Sequence, residues 1–223
     1  QFNDPADYKK YPVTIDKDIE MLEAAGCEAL FMPSVKEVYP NGTDEKVHYE
    51  LGYLETIMEG KYRPDHFQGV GRVVHRLLEL VAPDHLYLGQ KDYQQCLVIK
   101  KLLELTGMVK SINLHISPTL REKDGLAMSS RNMRLDADAR QLATAIHQSL
   151  TMVKKNLQPG NLDLLKTKAF SSLNEKGFKT DYIEIADAKT LLPITDWDGK
   201  QKLVALAAAF IGEVRLIDNM LLN

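Results

Sequence analysis

The chain has only two cysteines, Cys27 and Cys96, far apart and with no C-x-x-C pairing. That excludes a disulfide framework and a cysteine-ligated zinc site, and it fits a reducing compartment. Long apolar runs are also missing. The longest, Leu203–Ile211, falls well short of the roughly 20 residues a membrane helix needs, so no membrane partner is expected. Neither sign of charge dominates: 28 Lys and Arg stand against 31 Asp and Glu, for a net −3. Without a basic stripe, nucleic acid is not an expected partner. The chain has no G-x-S-x-G, no GK[ST] loop, no G-x-G-x-x-G and no H-E-x-x-H. Covalent serine hydrolysis and P-loop hydrolysis therefore find no support. Repeats and low-complexity tracts are absent too. Gln1-Phe2-Asn3-Asp4-Pro5 reads like the middle of a loop rather than a start or a leader.

The 223 residues are 44% hydrophobic and 26% charged. That is enough apolar material for a globular core, in one large domain or two small ones. Helical spacing of apolar residues predicts helices over Asp16–Ala25, Tyr53–Glu59, Val70–Leu80 and Tyr93–Thr106, with Gly26, Gly60 and Pro83 as stops. Ala29–Met32, His85–Leu88 and Ser111–Ile116 read as short strands, the first of them buried. Strand and helix in alternation predict βαβ units and a parallel sheet, with ligands just beyond the carboxyl ends of the strands. After about Ser117 the pattern changes. Asp136–Lys155, with Asp136 as cap, and Leu162–Asn174 read as helices. Tyr182–Ile185, Lys202–Phe210 and Val214–Ile217 read as strands, the last two joined by a hairpin at Ile211-Gly212-Glu213. This second part is a small α+β unit.

Two segments suit a bound polyphosphate. Gly89-Gln90-Lys91-Asp92 follows a strand and opens a helix. Glycine allows close backbone approach, the helix start offers free N–H groups, and Lys91 adds a full positive charge. Asp92 could accept from ribose hydroxyls and Gln95 could pair with a small polar substrate. The same residues serve equally as a strand–helix turn with a capping Asp92 and a solvated lysine. In Lys123-Asp124-Gly125-Leu126-Ala127-Met128-Ser129-Ser130-Arg131 a turn leads into two serines and an arginine, a good clamp for a triphosphate. The plain alternative is a polar loop with a capping serine. His66, in Arg63-Pro64-Asp65-His66, reads better as a structural histidine than as a catalyst, and Val70, Val73 and Val74 share one helix face.

At these residues the chain resembles the pantothenate synthetase (pantoate–beta-alanine ligase) family. The blocks are QFNDPADYKKYP, PSVKEVYPNGT, RPDHFQGV, LGQKDYQQ, KDGLAMSSRN and RLIDN, in the family's order and near its spacing. Leu88, where an aromatic is common, and extra residues around Met108–Ser111 depart from it. The resemblance implies an α/β fold: part of a Rossmann-like nucleotidyltransferase domain over 1–117, then a small α+β C-terminal lid over 118–223. It implies ATP and Mg²⁺ as co-substrate and cofactor, pantoate and beta-alanine as the other small-molecule partners, and a cytoplasmic homodimer.

Residue by residue, it implies ATP binding by Gly89, Gln90, Lys91 and Asp92, and by a second loop of Met128, Ser129, Ser130 and Arg131 equivalent to the KMSKS loop of class I synthetases. Leu120 would meet adenine through its backbone. Lys91, Ser129, Ser130 and Arg131 would be catalytic, and no protein-built metal site is implied. Gln1 and Gln95 would bind pantoate, Gln1 also beta-alanine, and Val70, Val73 and Val74 would wall pantoate's dimethyl carbon. The family's HIGH-like motif, with two histidines expected to stabilise the triphosphate, falls upstream of the matched blocks. The resemblance thus implies a chain that begins partway through the nucleotide domain. The expected activity is ATP-dependent condensation of pantoate with beta-alanine through a pantoyl-adenylate, releasing AMP and diphosphate. The alternatives are a catalytically incomplete nucleotide-binding fragment of such an enzyme, or another nucleotidyltransferase that activates a small acid.

Overall fold

The computed structural model describes residues 8–9, 11–42 and 47–223. It is α/β, with a parallel sheet followed by a separate antiparallel sheet. In the first half, helix α1 (Ile15–Ala24) and the single turn α2 (Val35–Val38) precede α3 (Met58–Tyr62) and α4 (His66–Val81). Ser34 starts α2 with a capping box: its hydroxyl accepts from Glu37 N–H while the Glu37 carboxylate accepts from Ser34 N–H. Helix α4 ends where Ala82 takes a left-handed conformation (φ 45°) ahead of Pro83. Strand β1 (His85–Gly89) then pairs in parallel with β2 (Asn113–Ser117), and α5 (Tyr93–Leu105) makes the crossover. Leu86 and Leu88 pack against the apolar residues of α4 and α5, among them Val70, Val98, Ile99 and Leu102. This is the predicted βαβ unit: side chains alternate along β1, so Leu86 and Leu88 meet the helices while Tyr87 stays exposed.

The second half holds α6 (Ala137–Leu142), α7 (Ala145–Lys155), the short β3 (Gly160–Asn161), α8 (Asp163–Glu175), β4 (Lys179–Asp187), the short β5 (Asp196–Trp197), β6 (Leu203–Ile211) and β7 (Val214–Leu221). β4, β6 and β7 form an antiparallel sheet in the order β4-β6-β7. Ile211 pairs with Val214, so the β6–β7 hairpin turns on Gly212-Glu213, with Gly212 at φ 56°. Alternation along the strands sends two sets of side chains to opposite faces. Leu203, Ala205, Ala207 and Ala209 of β6 and Val214 and Leu216 of β7 pack with α7 and α8. Val204 and Leu206 pack instead with Tyr49, Leu51, Phe67, Val70, Val98 and Ile99 of the first half. The antiparallel sheet thus lies between its own helices and the parallel unit, and one core runs across the residue 117–118 region.

Three predicted elements differ. Ala29–Met32 is neither a strand nor buried: Leu30, Phe31 and Met32 are 47%, 56% and 59% exposed. No strand lies beside it among the described residues, so its backbone has no ladder to join. Tyr53–Glu59 is not one helix. A 3₁₀ turn over Gly52–Glu55 is followed by extended Ile57, and α3 opens at left-handed Met58 (φ 40°). Gly60 sits inside α3 rather than ending it, and glycine is required there because a Cβ would lie 2.5 Å from the backbone C and O of Glu55. Asp136–Lys155 breaks at Ala143-Thr144, where the Thr144 hydroxyl donates to the Gln141 carbonyl and competes with the helix ladder. Asp136 does cap α6, accepting from Ala139 N–H at 2.8 Å.

Candidate active site

A cleft of about 460 Å³ opens between the two halves. Lys91 and Asp92 line one side, from the 3₁₀ turn Gln90–Asp92 that links β1 to α5. Ser129, Arg131, Asn132 and Arg134 line another, from the loop after β2. The two polyphosphate-type segments, well separated in sequence, therefore face the same space. Glu59, Arg63, Asp181 and Arg215 complete the polar wall.

The local folding of each segment follows from its residues. The lysine turn sits at the carboxyl end of β1, where a parallel sheet presents its ligands. Asp92 makes no side-chain capping bond to α5, so the capping alternative does not hold. The Lys91 and Asp92 side chains form no hydrogen bond or ion pair among the described residues. The serine–arginine segment is a tight hairpin. Met128 N–H donates to Leu120 C=O, Glu122 N–H to Leu126 C=O, and Gly125 N–H to Glu122 C=O. Gly125 has φ 93°, and a Cβ on it would meet the His147 ring at 2.5 Å, so turn and histidine fit only with glycine. Ser129 accepts from Arg131 N–H and starts the 3₁₀ turn Ser130–Arg134. Ser130 donates to the Tyr11 hydroxyl, and the Arg131 guanidinium lies 5.4 Å from the centre of the Tyr11 ring.

Other predicted residues are placed less directly. Gly89 and Gln90 flank Lys91 but do not line the cleft. The Gln90 carboxamide is occupied by Asn219. Leu120 and Met128 are exposed and also lie outside the lining. Gln95 borders a small adjoining pocket of about 30 Å³ that shares Glu59, Arg63, Lys91 and Asp92 with the cleft. Val70 is 2% exposed and packs in the core with Phe67, Val74 packs on its edge, and Val73 is half-buried. Gln1 falls outside the described residues.

Several cleft residues escaped the sequence reading. Arg215 donates to both oxygens of Glu59, at 2.8 and 2.7 Å, and to Asp181 at 2.8 Å. Tyr182 adds a hydrogen bond to Glu59 at 3.0 Å. Burial pushes the Glu59 carboxyl upward, but the hydrogen bonds and charge of Arg215 outweigh it and hold Glu59 below the usual carboxylate range. Gln94, 2% exposed, fixes Glu59 from behind: it accepts from Glu59 N–H and donates to the carbonyls of Leu54 and Ile57. His66 is buried beside Arg63, with 3.0 Å between Nη1 and Nε2. Arg121, at the root of the serine hairpin, makes a two-pronged pair with Asp218 at 2.6 and 2.9 Å. One signal could have found Arg215 and Asn219. In the RLIDN block a period of two puts them, with Ile217, on one strand face. The buried Cys96 thiol is pushed up to about 12 by burial, which keeps it protonated and inert.

A model of the pantoate–beta-alanine ligase family matches residues 1–221. The chain belongs to that family. It is therefore an enzyme of the ligase class that joins an acid to an amine, and the cleft is its candidate active site. Solved structures agree. Pantothenate synthetase from Thermus thermophilus is 36% identical with a TM-score of 0.84, over 99% of this chain and 79% of that one. A second structure of the Thermus enzyme gives 36% and 0.82, over 96% and 76%. Pantoate–beta-alanine ligase from Francisella tularensis, in complex with beta-gamma ATP and beta-alanine, is 34% identical with a TM-score of 0.77, over 99% and 74%.

Proposed function

We propose that this ligase activates pantoate as a pantoyl-adenylate in the cleft between its two halves. The observation that carries the reading is the meeting of Lys91 and Asp92 with Ser129 and Arg131 around one open space. A carboxylate is a poor acyl donor, because its leaving group would be oxide. Attack of a pantoate carboxylate oxygen on the α-phosphorus of ATP forms the mixed anhydride and releases diphosphate. The neutral amine of beta-alanine then attacks the acyl carbon, the acyl–oxygen bond to AMP breaks, and the amine proton leaves to solvent. No protein nucleophile is needed, so the protein contributes position and charge.

Lys91 and Arg131 stabilise the charge that builds on the phosphates, with the Ser129 and Ser130 hydroxyls as donors. Gln95 orients pantoate from the adjoining pocket, and Gln1 is its proposed partner. The valine face of α4 meets pantoate's methyl groups through Val73, with Val70 and Val74 supporting it from the core. Gly89 lets the nucleotide approach, and the backbones of Gln90, Leu120 and Met128 are assigned to the nucleotide. A Mg²⁺ ion fits the donor set. Among the described residues no three His, Cys, Asp or Glu converge as a protein-built cage, and magnesium in nucleotide sites is held largely by phosphate and water with one or two carboxylates. Asp92, a cleft carboxylate with no protein partner among the described residues, would hold it, and the ion would neutralise phosphate charge. We further read residues 1–117 and 118–223 as the two working units, the enzyme as a cytoplasmic homodimer, and ATP, pantoate and beta-alanine as its partners.

The test is Lys91→Ala, with pantoate-dependent ATP–diphosphate exchange as the assay. Loss of one charge contact made in the transition state costs about 3 kcal/mol, or roughly a hundredfold in rate. A variant exchanging at near the wild-type rate would end the assignment of Lys91.

A further inference from the structure

We propose that Asn219 is a positioning residue for Lys91: its buried carboxamide, reaching across from β7, clamps the backbone of the lysine turn and sets where the ammonium meets the triphosphate. This inference rests on the assignment of Lys91 to the nucleotide made above.

The geometry is unusual for a strand residue. Asn219 is 2% exposed. Its Nδ2 donates to two consecutive carbonyls, Gln90 C=O at 2.9 Å and Lys91 C=O at 2.9 Å. Its Oδ1 accepts from Gln90 Nε2 at 3.1 Å. One amide group thus uses both of its hydrogens and its oxygen on the same two residues. Capturing two adjacent carbonyls fixes the orientation of both peptide planes around Lys91. The turn carries no side-chain cap of its own, and the Lys91 side chain has no protein partner among the described residues.

The pairing of the strands explains the reach. Asn219 lies opposite Leu206 in the β6–β7 ladder, and Leu206 packs toward the first half. Residue 219 therefore points at the lysine turn by strand alternation alone. Its neighbour Asp218 points to the other face and holds Arg121, while Asn219 C=O accepts from Arg121 Nη2 at 3.3 Å. Two consecutive strand residues thus tie the lysine turn and the root of the serine–arginine hairpin to one rigid element.

A stability argument alone does not account for the asparagine. A buried amide gains little net free energy from hydrogen bonds that water would also supply. An apolar residue in the Leu206 layer would bury more area without that desolvation penalty. What the amide adds is direction.

The experiment is a double-mutant cycle in the full chain with Asn219→Ala, Lys91→Ala and the double variant. It is read by pantoate-dependent AMP release and, independently of turnover, by calorimetric titration with ATP. Misplacement on the scale of 1 Å costs roughly a hundredfold. Asn219→Ala should therefore lower kcat by about that factor while the KM for pantoate moves less than about threefold. In the Lys91→Ala background the same change should add less than about threefold, in both turnover and ATP affinity, because the group it positions is gone. If the alanine variant does not fold, Asn219→Leu replaces it: this change keeps a side chain of similar shape in the buried layer but removes the donors, and the same pattern is expected. Multiplicative losses in the double variant, or an Asn219→Ala enzyme with wild-type kcat, would overturn the proposal. A wild-type protein that binds ATP but releases no AMP would refute the ligase mechanism instead, and the binding cycle would still decide on Asn219.

Discussion

Removing Arg215 should destabilise the protein by an amount that depends on pH in a calculable direction. The guanidinium makes three short hydrogen bonds, two to Glu59 and one to Asp181. The Glu59 side chain is 9% exposed and that of Arg215 is 18% exposed. In Arg215→Ala, Glu59 keeps, among the described residues, the side chains of Arg63, 3.8 Å away, and Tyr182. Breaking a buried pair from one side costs about 3–5 kcal/mol, and the partial exposure of Arg215 argues for the low end, about 3 kcal/mol near pH 7. In the wild-type protein Glu59 titrates below its ordinary 4.5. Its stabilising contribution is therefore complete above that ordinary value and is lost only as pH falls through the lowered one. In the variant, burial acts without the arginine and pushes Glu59 upward. The folded variant then takes up a proton that the unfolded chain does not hold. Its stability deficit against wild type should shrink as pH falls from about 8 to about 5.5. Urea unfolding followed by circular dichroism at both pH values measures this. Adding Glu59→Gln to Arg215→Ala should remove the pH dependence. A deficit under about 1 kcal/mol would place the cluster with ordinary surface pairs, and an equal deficit at both pH values would show that Glu59 stays ionised without the arginine, against the reasoning.

Local structure and packing set the outcomes of four further substitutions. Gly60→Ala places a Cβ 2.5 Å from the Glu55 backbone and should cost about 2–3 kcal/mol in urea unfolding; an unchanged midpoint would mean the 3₁₀ turn can shift away. Val73→Ala should weaken pantoate binding by about 1–2 kcal/mol in calorimetric titration. Val70→Ala, in the core, should instead lower stability by about 2 kcal/mol; the reverse pattern would relocate the pantoate wall. Asp136→Ala removes the cap on Ala139 N–H and should cost about 1 kcal/mol by thermal unfolding, with no change in ATP affinity.

Much of this protein is decided locally and is therefore legible in its sequence. Apolar spacing alone marks α4 and α5 and the strands on either side of α5, because a βαβ unit needs helices to cover apolar strands. Glycine, lysine and aspartate after β1, and two serines with an arginine after β2, announce anion-binding chemistry through residue type. What spacing could not supply is the outcome of competition with neighbours. Ala29–Met32 has the composition of a buried strand, yet it has no strand beside it among the described residues. Gly60 looks like a helix stop, but it is needed for the close approach of Glu55. Above all, the tertiary structure decided the roles of Glu59, Arg215, Asp218 and Asn219. Each is an ordinary polar residue in sequence. Each acts through a partner far away in the sequence, where burial turns a weak polar contact into a fixed one.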